Sequence, residues 1–186
     1  MTTTSPASAT ATGLSEAVTA VRAAVRQGGD WDRTARLVAG QLRLHLPGPD
    51  ILTEAQRQGD PSGYRSHLLH TEPDGSFSVL GAVWRPGQIT PVHDHVTWCV
   101  FGVLQGVEYE ELFAVAADGR HLVEVGRNEG RPGDVSGFAP PGDIHRVRNI
   151  GDRVAISLHV YGADITRLGS SVRRTYDMQV LASAAR

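Results

Sequence analysis

Apolar and polar residues recur with a helical period in the first third of the chain. Between residues 14 and 26 the apolar positions fall every three or four residues, and Gly28-Gly29 follows. This spacing is typical of an amphipathic helix, and glycine is common just after a helix ends. The same spacing over residues 31–46, before Pro47-Gly48-Pro49, predicts a second helix.

The pattern changes near Tyr64 to short apolar, β-branched and aromatic runs separated by glycine, proline and aspartate. Such runs between turn residues are typical of strands. The predicted strands are residues 77–84, 99–104, 109–115, 121–126, 135–139, 144–149 and 155–161. Closely spaced strands of this kind predict an antiparallel sandwich or barrel.

A chain of 186 residues is the size of one domain. We expect a disordered tail over residues 1–13, a helical segment over 14–63, a β barrel over 64–172 and a C-terminal tail over 173–186. The first thirteen residues lack the basic and apolar regions of a secretory signal. No apolar run reaches the roughly 18 residues that a membrane helix needs.

Charge and cysteine content narrow the class of function. Eighteen basic and twenty acidic residues give a net charge of −2, without the basic clusters of a nucleic-acid-binding protein. The single cysteine excludes an intrachain disulfide and favours a cytoplasmic protein. We therefore expect a small-molecule partner, with neither nucleic acid nor membrane, while the oligomeric state is left open.

Two histidines one residue apart are the first sign of chemistry. On a strand, His93 and His95 face the same side and Asp94 faces the other. Two imidazoles on one face suit a metal ion but require a further ligand. The leading candidate is His145, which follows the turn-forming sequence 140–144.

These residues lie within two longer motifs. Gly87, His93-x-His95, Cys99 and Gly106 are spaced as in the first cupin motif, which they resemble, although that motif usually has glutamate at the position of Cys99. The segment Pro140-x-Gly142-x-x-His145-x-x-x-Asn149 resembles the second cupin motif. The glycine that opens this second motif is displaced by one, since Asp134 stands in its place.

Over residues 64–161 the chain resembles the cysteine dioxygenase family of cupins. The matching pieces are Val83-Trp84, Pro91-Val-His-Asp-His, Cys99-Val-Phe-Gly-Val-Leu-Gln-Gly, His145-Arg-Val-x-Asn and Ser157-Leu-His-Val-Tyr. The resemblance implies a mostly β fold, a double-stranded β-helix or jelly-roll-like barrel with an N-terminal helical segment. It also implies Fe(II) held by His93, His95 and His145, with no carboxylate ligand because cysteine replaces the glutamate. Three neutral ligands leave the metal dicationic, which favours a thiolate substrate.

The resemblance assigns further roles near the metal. Ser157, His159 and Tyr161 match a hydrogen-bonded relay, and their alternation on a strand places all three on one face. Tyr161 would orient the substrate or oxygen. Cys99 occupies the position that forms a thioether with the matching tyrosine in some members of the family and is glycine in others.

The substrate is less sharply defined. Members that oxidise cysteine carry Tyr-x-Arg, where this chain has Tyr64-Arg65-Ser66, and the one-residue shift points Arg65 to the opposite face. The stretch that begins at Trp84 is closer to the 3-mercaptopropionate branch. We expect contacts from Ser66 and Trp84, and a carboxylate contact from Arg173 or Arg174, since guanidinium groups bind carboxylates in a bidentate manner.

The implied activity is therefore oxidation of a small thiol carboxylate, L-cysteine or 3-mercaptopropionate, to its sulfinic acid with O2. One alternative is a specialised cupin oxidase that converts L-cysteine to another oxidised sulfur product in biosynthesis. Another is a non-catalytic metal-binding cupin. A metal-dependent cupin isomerase or hydrolase fits less well, because the usual glutamate ligand is missing.

Overall fold

The computed structural model describes residues 6–181, with side chains from residue 13 onward. The helices are α1 (Pro6–Val25), α2 (Trp31–Leu44), α3 (Glu54–Arg57) and α4 (Ile165–Leu168), with a 3-10 turn at Pro49–Ile51. The strands are β1 (Arg65–Thr71), β2 (Ser78–Trp84), β3 (His93–His95), β4 (Cys99–Gln105), β5 (Glu108–Val115), β6 (Leu122–Gly130), β7 (Val135–Phe138), β8 (His145–Asn149), β9 (Ala155–Tyr161), β10 (Val172–Thr175) and β11 (Val180–Leu181).

The strands form two sheets that face each other. One has the order β1-β2-β9-β4-β7 and the other the order β10-β3-β8-β5-β6-β11. Neighbouring strands are antiparallel, except that β11 runs parallel to β6. Side chains from both sheets line one pocket, so the space between the sheets contains the candidate site.

The N-terminal helices cover the outer face of the five-stranded sheet. Val38 and Leu42 of α2 are fully buried in one cluster with Val100, Leu158 and Val160 of the sheet. Because side chains alternate along a strand, the residues between these apolar ones face the interior of the barrel. The helices therefore bury one face of β4 and β9 and leave the other face free for polar chemistry.

The structure differs from the sequence-based expectations at both ends of the chain. Helix α1 begins at Pro6, so the part of the expected tail after residue 5 is helical, and residues 1–5 lie outside the described residues. At the other end, β10 and β11 belong to the six-stranded sheet, although residues 173–186 were expected to be a tail. Residues 182–186 lie outside the described residues.

Strands β1, β10 and β11 were not predicted from the sequence. Strand β1 carries exposed and half-buried residues on an edge, so it lacks the apolar run that identified the other strands. Within residues 6–181, no helix combines the length and apolar character needed to cross a lipid bilayer.

Candidate metal centre and active-site pocket

Three histidines converge on one point inside the barrel. His93 and His95 lie on β3, and His145 opens β8 directly opposite His93. The three ring centroids are 4.6 to 4.9 Å apart. One donor atom of each ring lies within 4.8 Å of the others, and all three side chains are buried. The structure thus brings together the three residues that the sequence selected as metal ligands.

The Nδ1 atom of each ring is hydrogen-bonded to an oxygen atom. His93 Nδ1 lies 2.9 Å from the carbonyl oxygen of Pro91, His95 Nδ1 lies 3.0 Å from Asp143 Oδ2, and His145 Nδ1 lies 2.7 Å from Glu110 Oε1. A carbonyl or carboxylate oxygen only accepts, so each Nδ1 carries the proton. Each Nε2 is then left with its lone pair directed into the barrel.

These lone pairs suit a cation between them. Nε2 of His93 lies 3.2 Å from Nε2 of His145, and neither carries a proton in the neutral ring. Burial lowers the pKa of His93 to about 3 and also lowers the pKa of His95, which keeps these rings neutral. Facing acceptors repel each other unless a positive charge lies between them. The donor set therefore fits a divalent transition metal bound by three imidazoles.

Two carboxylates hold the ligands in place from behind. Asp143 accepts both the ring and the backbone N–H of His95, the latter at 2.8 Å, and Glu110 accepts from Asn128 as well as from His145. Burial raises the pKa of each carboxylate, but hydrogen bonding to these histidines outweighs this effect and holds the pKa below its usual range. Such partners fix the tautomer and raise the basicity of a ligand.

Sequence reasoning missed both of these carboxylates. A signal existed for Asp143, which stands two residues before His145. For Glu110 the signal was weaker. It is a carboxylate at a position of β5 whose side chain points to the interior of the barrel according to the alternation of side chains along a strand. Assigning either residue needs the pairing of β5 with β8.

A hydrogen-bonded chain runs along the inner face of β9. Trp84 Nε1 donates to Ser157 Oγ at 3.3 Å, Ser157 Oγ lies 2.9 Å from His159 Nε2, and His159 Nδ1 lies 3.3 Å from the Tyr161 hydroxyl. The Phe101 ring stacks on His159 with centroids 5.4 Å apart. Burial lowers the pKa of His159 to about 3, so the imidazole is neutral. The chain can therefore exist in two directions of hydrogen bonding without a charge on His159.

Cys99 lies beside the end of this chain. It is the direct cross-strand partner of Tyr161, and it is a buried free thiol. Burial raises the pKa of Cys99 well above its usual value, so the thiol is protonated. Burial and the neighbouring thiol likewise raise the pKa of Tyr161. The Tyr161 ring stacks on the ring of His95 with centroids 6.1 Å apart, so the phenol ring lies beside the three histidines.

A pocket of about 230 Å³ opens above the three histidines. The predicted substrate contacts Ser66 and Trp84 are in its wall. Tyr64 stacks on Trp84 with ring centroids 4.4 Å apart. The remaining wall combines apolar side chains with the hydroxyl groups of Ser170 and Ser171.

The predicted contact from Arg174 is wrong. Its Nε donates to Asp94 Oδ2 at 2.7 Å, and the Tyr176 hydroxyl donates to the same oxygen. Asp94 alternates with the two ligand histidines and so faces away from the metal, which draws Arg174 away from the pocket. Arg173 is exposed at a β-bulge in β10 and is not among the described residues that line the pocket.

Arg65 also lies away from the pocket. Its guanidinium group bonds to Asp60, with the shorter contact at 2.6 Å. Its neighbour Ser66 lines the pocket, as expected when adjacent strand residues face opposite sides.

Comparisons with known proteins found one matching family and several similar solved structures. A family model described as cysteine dioxygenase type I matches residues 55–169. Among solved structures, a cupin 2 conserved barrel domain protein from Salinispora arenicola CNS-205 is 23% identical, with coverage of 63% of this chain and 92% of that chain and a TM-score of 0.44. A cupin 2 domain of an XRE family transcriptional regulator from Enterobacter cloacae is 18% identical, with coverage of 53% and 94% and a TM-score of 0.40.

A recombinant oxalate oxidase in complex with glycolate is 20% identical, with coverage of 56% of this chain, 53% of that chain and a TM-score of 0.45. The alignment thus spans about half the length of that enzyme.

The predicted cupin barrel is confirmed. The family match extends over more than half of the chain and includes the three histidines as well as β9. The chain belongs to the type I cysteine dioxygenase family.

Proposed function

We propose that this protein is a non-haem Fe(II)-dependent thiol dioxygenase that oxidises a small thiol carboxylate to its sulfinic acid. The observation that carries the proposal is the buried centre of three imidazoles, without a carboxylate ligand, at the base of a pocket that also contains Tyr161. Family membership supports the same activity.

His93, His95 and His145 would hold the iron, since imidazole is a suitable ligand for it. When bound, Fe(II) supplies the reactivity toward O2 and a positive charge that favours a thiolate. The protein fixes the ligand nitrogens through Asp143 and Glu110, as their hydrogen bonds to the rings show. The buried position of the centre keeps bulk water away from the reacting groups.

The pocket suits a small substrate with one polar end. Its volume of about 230 Å³ excludes bulky thiols, and Leu80 and Trp84 contribute apolar surface for a short carbon chain. Ser66, Ser170 and Ser171 offer hydroxyl donors to a substrate carboxylate. L-Cysteine and 3-mercaptopropionate both have this shape and chemistry.

Tyr161 is the group that would contact the substrate directly. Its hydroxyl ends the chain through His159 and Ser157, so it can accept or donate a proton in the pocket. Conversion of a thiol and O2 to a sulfinate releases one proton, which has to leave the pocket. The chain along β9 provides a route for it.

We also propose that Cys99 and Tyr161 form a thioether during turnover. The two residues are direct cross-strand partners with the thiol beside the phenol. Forming the S–C bond removes one hydrogen from the thiol and one from the aromatic ring, and O2 is the electron acceptor. Peptide mapping after turnover is expected to show a linked fraction. A wholly unlinked pair would contradict the crosslink.

An oxygen electrode tests the proposed activity. The iron-reconstituted protein is supplied with L-cysteine, 3-mercaptopropionate or cysteamine, and the sulfur product is identified by mass. We expect oxygen uptake with a thiol carboxylate, the corresponding sulfinate as product, and no uptake by His145→Ala. Iron-replete protein without uptake would indicate a non-catalytic metal-binding cupin. A different sulfur product from L-cysteine would indicate the specialised oxidase.

A further inference from the structure

A second cavity, here called the rear cavity, has a volume of about 470 Å³ and lies beyond Val147, which lines both cavities. Glu108 of β5 lines this rear cavity while its side chain is only 2% exposed. Neither of its carboxylate oxygens has a hydrogen-bond partner among the described residues. An unpaired buried carboxyl is costly, so its presence calls for a physical explanation.

Glu108 lies at the inner end of the chain on β9. The Ser157 hydroxyl lies near this carboxyl group and favours its ionised form, although the two groups are not in hydrogen-bonding geometry in this structure. Phe101, which stacks on His159, lines the same rear cavity. Glu108 therefore adjoins the end of the chain opposite Tyr161.

Ser157 has the hydrogen-bonding capacity to connect the two sides. A hydroxyl has one proton to donate and two sites that accept. Trp84 Nε1 occupies one accepting site. The proton and the other accepting site are left for His159 and Glu108, in either order. The direction of the whole chain is thus coupled to the protonation of Glu108.

We propose that Glu108 is the terminal proton acceptor of the chain formed by Tyr161, His159 and Ser157, through which the proton of the substrate thiol leaves the pocket. This inference rests on the proposed thiol dioxygenase function. Glu108 acts through Ser157 and does not touch the substrate.

The proton transfer is balanced at each atom. With Glu108 ionised, the Ser157 hydroxyl turns to donate to Glu108, His159 Nε2–H donates to Ser157, and the Tyr161 hydroxyl donates to His159 Nδ1. The oxygen of Tyr161 then accepts the thiol proton while each proton of the chain moves one place toward Glu108. The S–H bond breaks and the carboxyl O–H bond forms, with no change in oxidation state. The rear cavity returns the proton to solvent.

The surroundings of Glu108 suit a group that takes up and releases a proton near neutral pH. Burial raises its pKa to about 7, the Ser157 hydroxyl opposes this, and the charge of Glu110 on the same strand adds to the increase. Arg43 of α2, Glu129 of β6 and Asp134 face the same rear cavity. A pKa near the working pH is the condition under which a proton acceptor is most effective.

The first test compares Glu108→Gln with Glu129→Gln in the iron-loaded protein. Glutamine keeps the shape of the side chain but cannot take the proton. Glu129 lines the same rear cavity, but its carboxylate pairs with Arg131 at the surface. We expect Glu108→Gln to lower kcat for thiol-dependent oxygen uptake roughly tenfold to hundredfold, with unchanged KM and iron content.

The dependence of kcat on pH separates proton acceptance from a structural role. In the wild type kcat should rise through about pH 7, since the ionised form of Glu108 accepts the proton. This rise should be absent in Glu108→Gln, partly restored in Glu108→Asp and unaltered in Glu129→Gln. A Glu108→Gln protein with kcat within about twofold of the wild type and the same pH profile would overturn the proposal.

A second measurement is independent of activity. Carbon NMR of the metal-free protein should show the Glu108 carboxyl titrating near pH 7, and Ser157→Ala should raise the midpoint, since the serine hydroxyl favours the ionised form. A midpoint in the ordinary range of glutamate, or one that Ser157→Ala does not move, would overturn the coupling. Wild-type protein without thiol-dependent uptake would instead contradict the proposed function itself.

Discussion

Glu110 shows how a residue outside the metal ligands controls the centre. Its Oε1 accepts from Nδ1 of His145 at 2.7 Å and so leaves the Nε2 lone pair of that ring facing the other ligands. The next residue, Glu111, faces the other way and pairs with Arg146. Substitutions of these two neighbours on β5 remove the same charge, but only Glu110 contacts a metal ligand. Comparing them therefore separates an effect on metal binding from an effect of net charge.

Replacement of Glu110 by glutamine should weaken metal binding. The neutral amide is a poorer acceptor for the ring N–H, so the basicity of His145 falls. We expect roughly tenfold to hundredfold lower affinity for the metal, measured by competition with a chelator. Glu111→Gln should bind the metal as tightly as the wild type. Equal affinities of the two variants would show that Glu110 does not orient the ligand.

The pH dependence of the free energy of unfolding should also reflect the burial of Glu108. Its folded pKa of about 7 lies above the ordinary glutamate value of 4.5, so between these values the native protein retains a proton that the unfolded chain has lost. The free energy of unfolding therefore falls as the pH rises between these two values. The Glu108→Gln variant has no such titrating group. Its free energy of unfolding relative to that of the wild type should therefore increase by roughly 3 kcal/mol between pH 4.5 and 8.

Denaturant unfolding at several pH values measures this difference. It should grow with pH and level off above the folded pKa. Glu129→Gln serves as the control, because its carboxylate pairs with Arg131 at the surface. A difference between wild type and Glu108→Gln that stays constant with pH would mean that Glu108 titrates as an ordinary surface glutamate.

At the scale of elements, the helices and most strands were predictable because apolar periodicity decides which face is buried. Helix α2 is an example, with its apolar stripe packed on the sheet. Strands β1 and β10 were not predictable, since exposed edge residues carry no such pattern. Strand β10 also pairs with β3, which is distant in sequence.

The packing of α2 can be tested with two leucines of the same helix. Leu42 is fully buried, whereas Leu44 is 75% exposed. Leu42→Ala should lower the free energy of unfolding by roughly 2–5 kcal/mol, through lost burial and a cavity. Leu44→Ala should change it by about 0.5 kcal/mol or less. Similar losses in denaturant unfolding would mean that α2 does not pack through this face.

At the scale of the whole molecule, the two sheets contribute different parts of the site. The six-stranded sheet supplies the three histidines through β3 and β8, and the five-stranded sheet supplies Tyr161 and Cys99 through β9 and β4. Motif spacing identified these residues in the sequence. Glu108, Glu110 and Asp143 were missed, because their roles depend on which strands face each other. The hydrogen bond from Arg174 to Asp94, which holds Arg174 away from the pocket, was missed for the same reason.

We propose above all that this centre inserts both atoms of O2 into a thiol. The most direct measurement is turnover of the iron-loaded protein with L-cysteine or 3-mercaptopropionate under isotopically labelled dioxygen, with mass analysis of the product. We expect a sulfinic acid in which both new oxygen atoms carry the label. A product that contains oxygen from water, or an iron-replete protein that oxidises neither thiol, would contradict it.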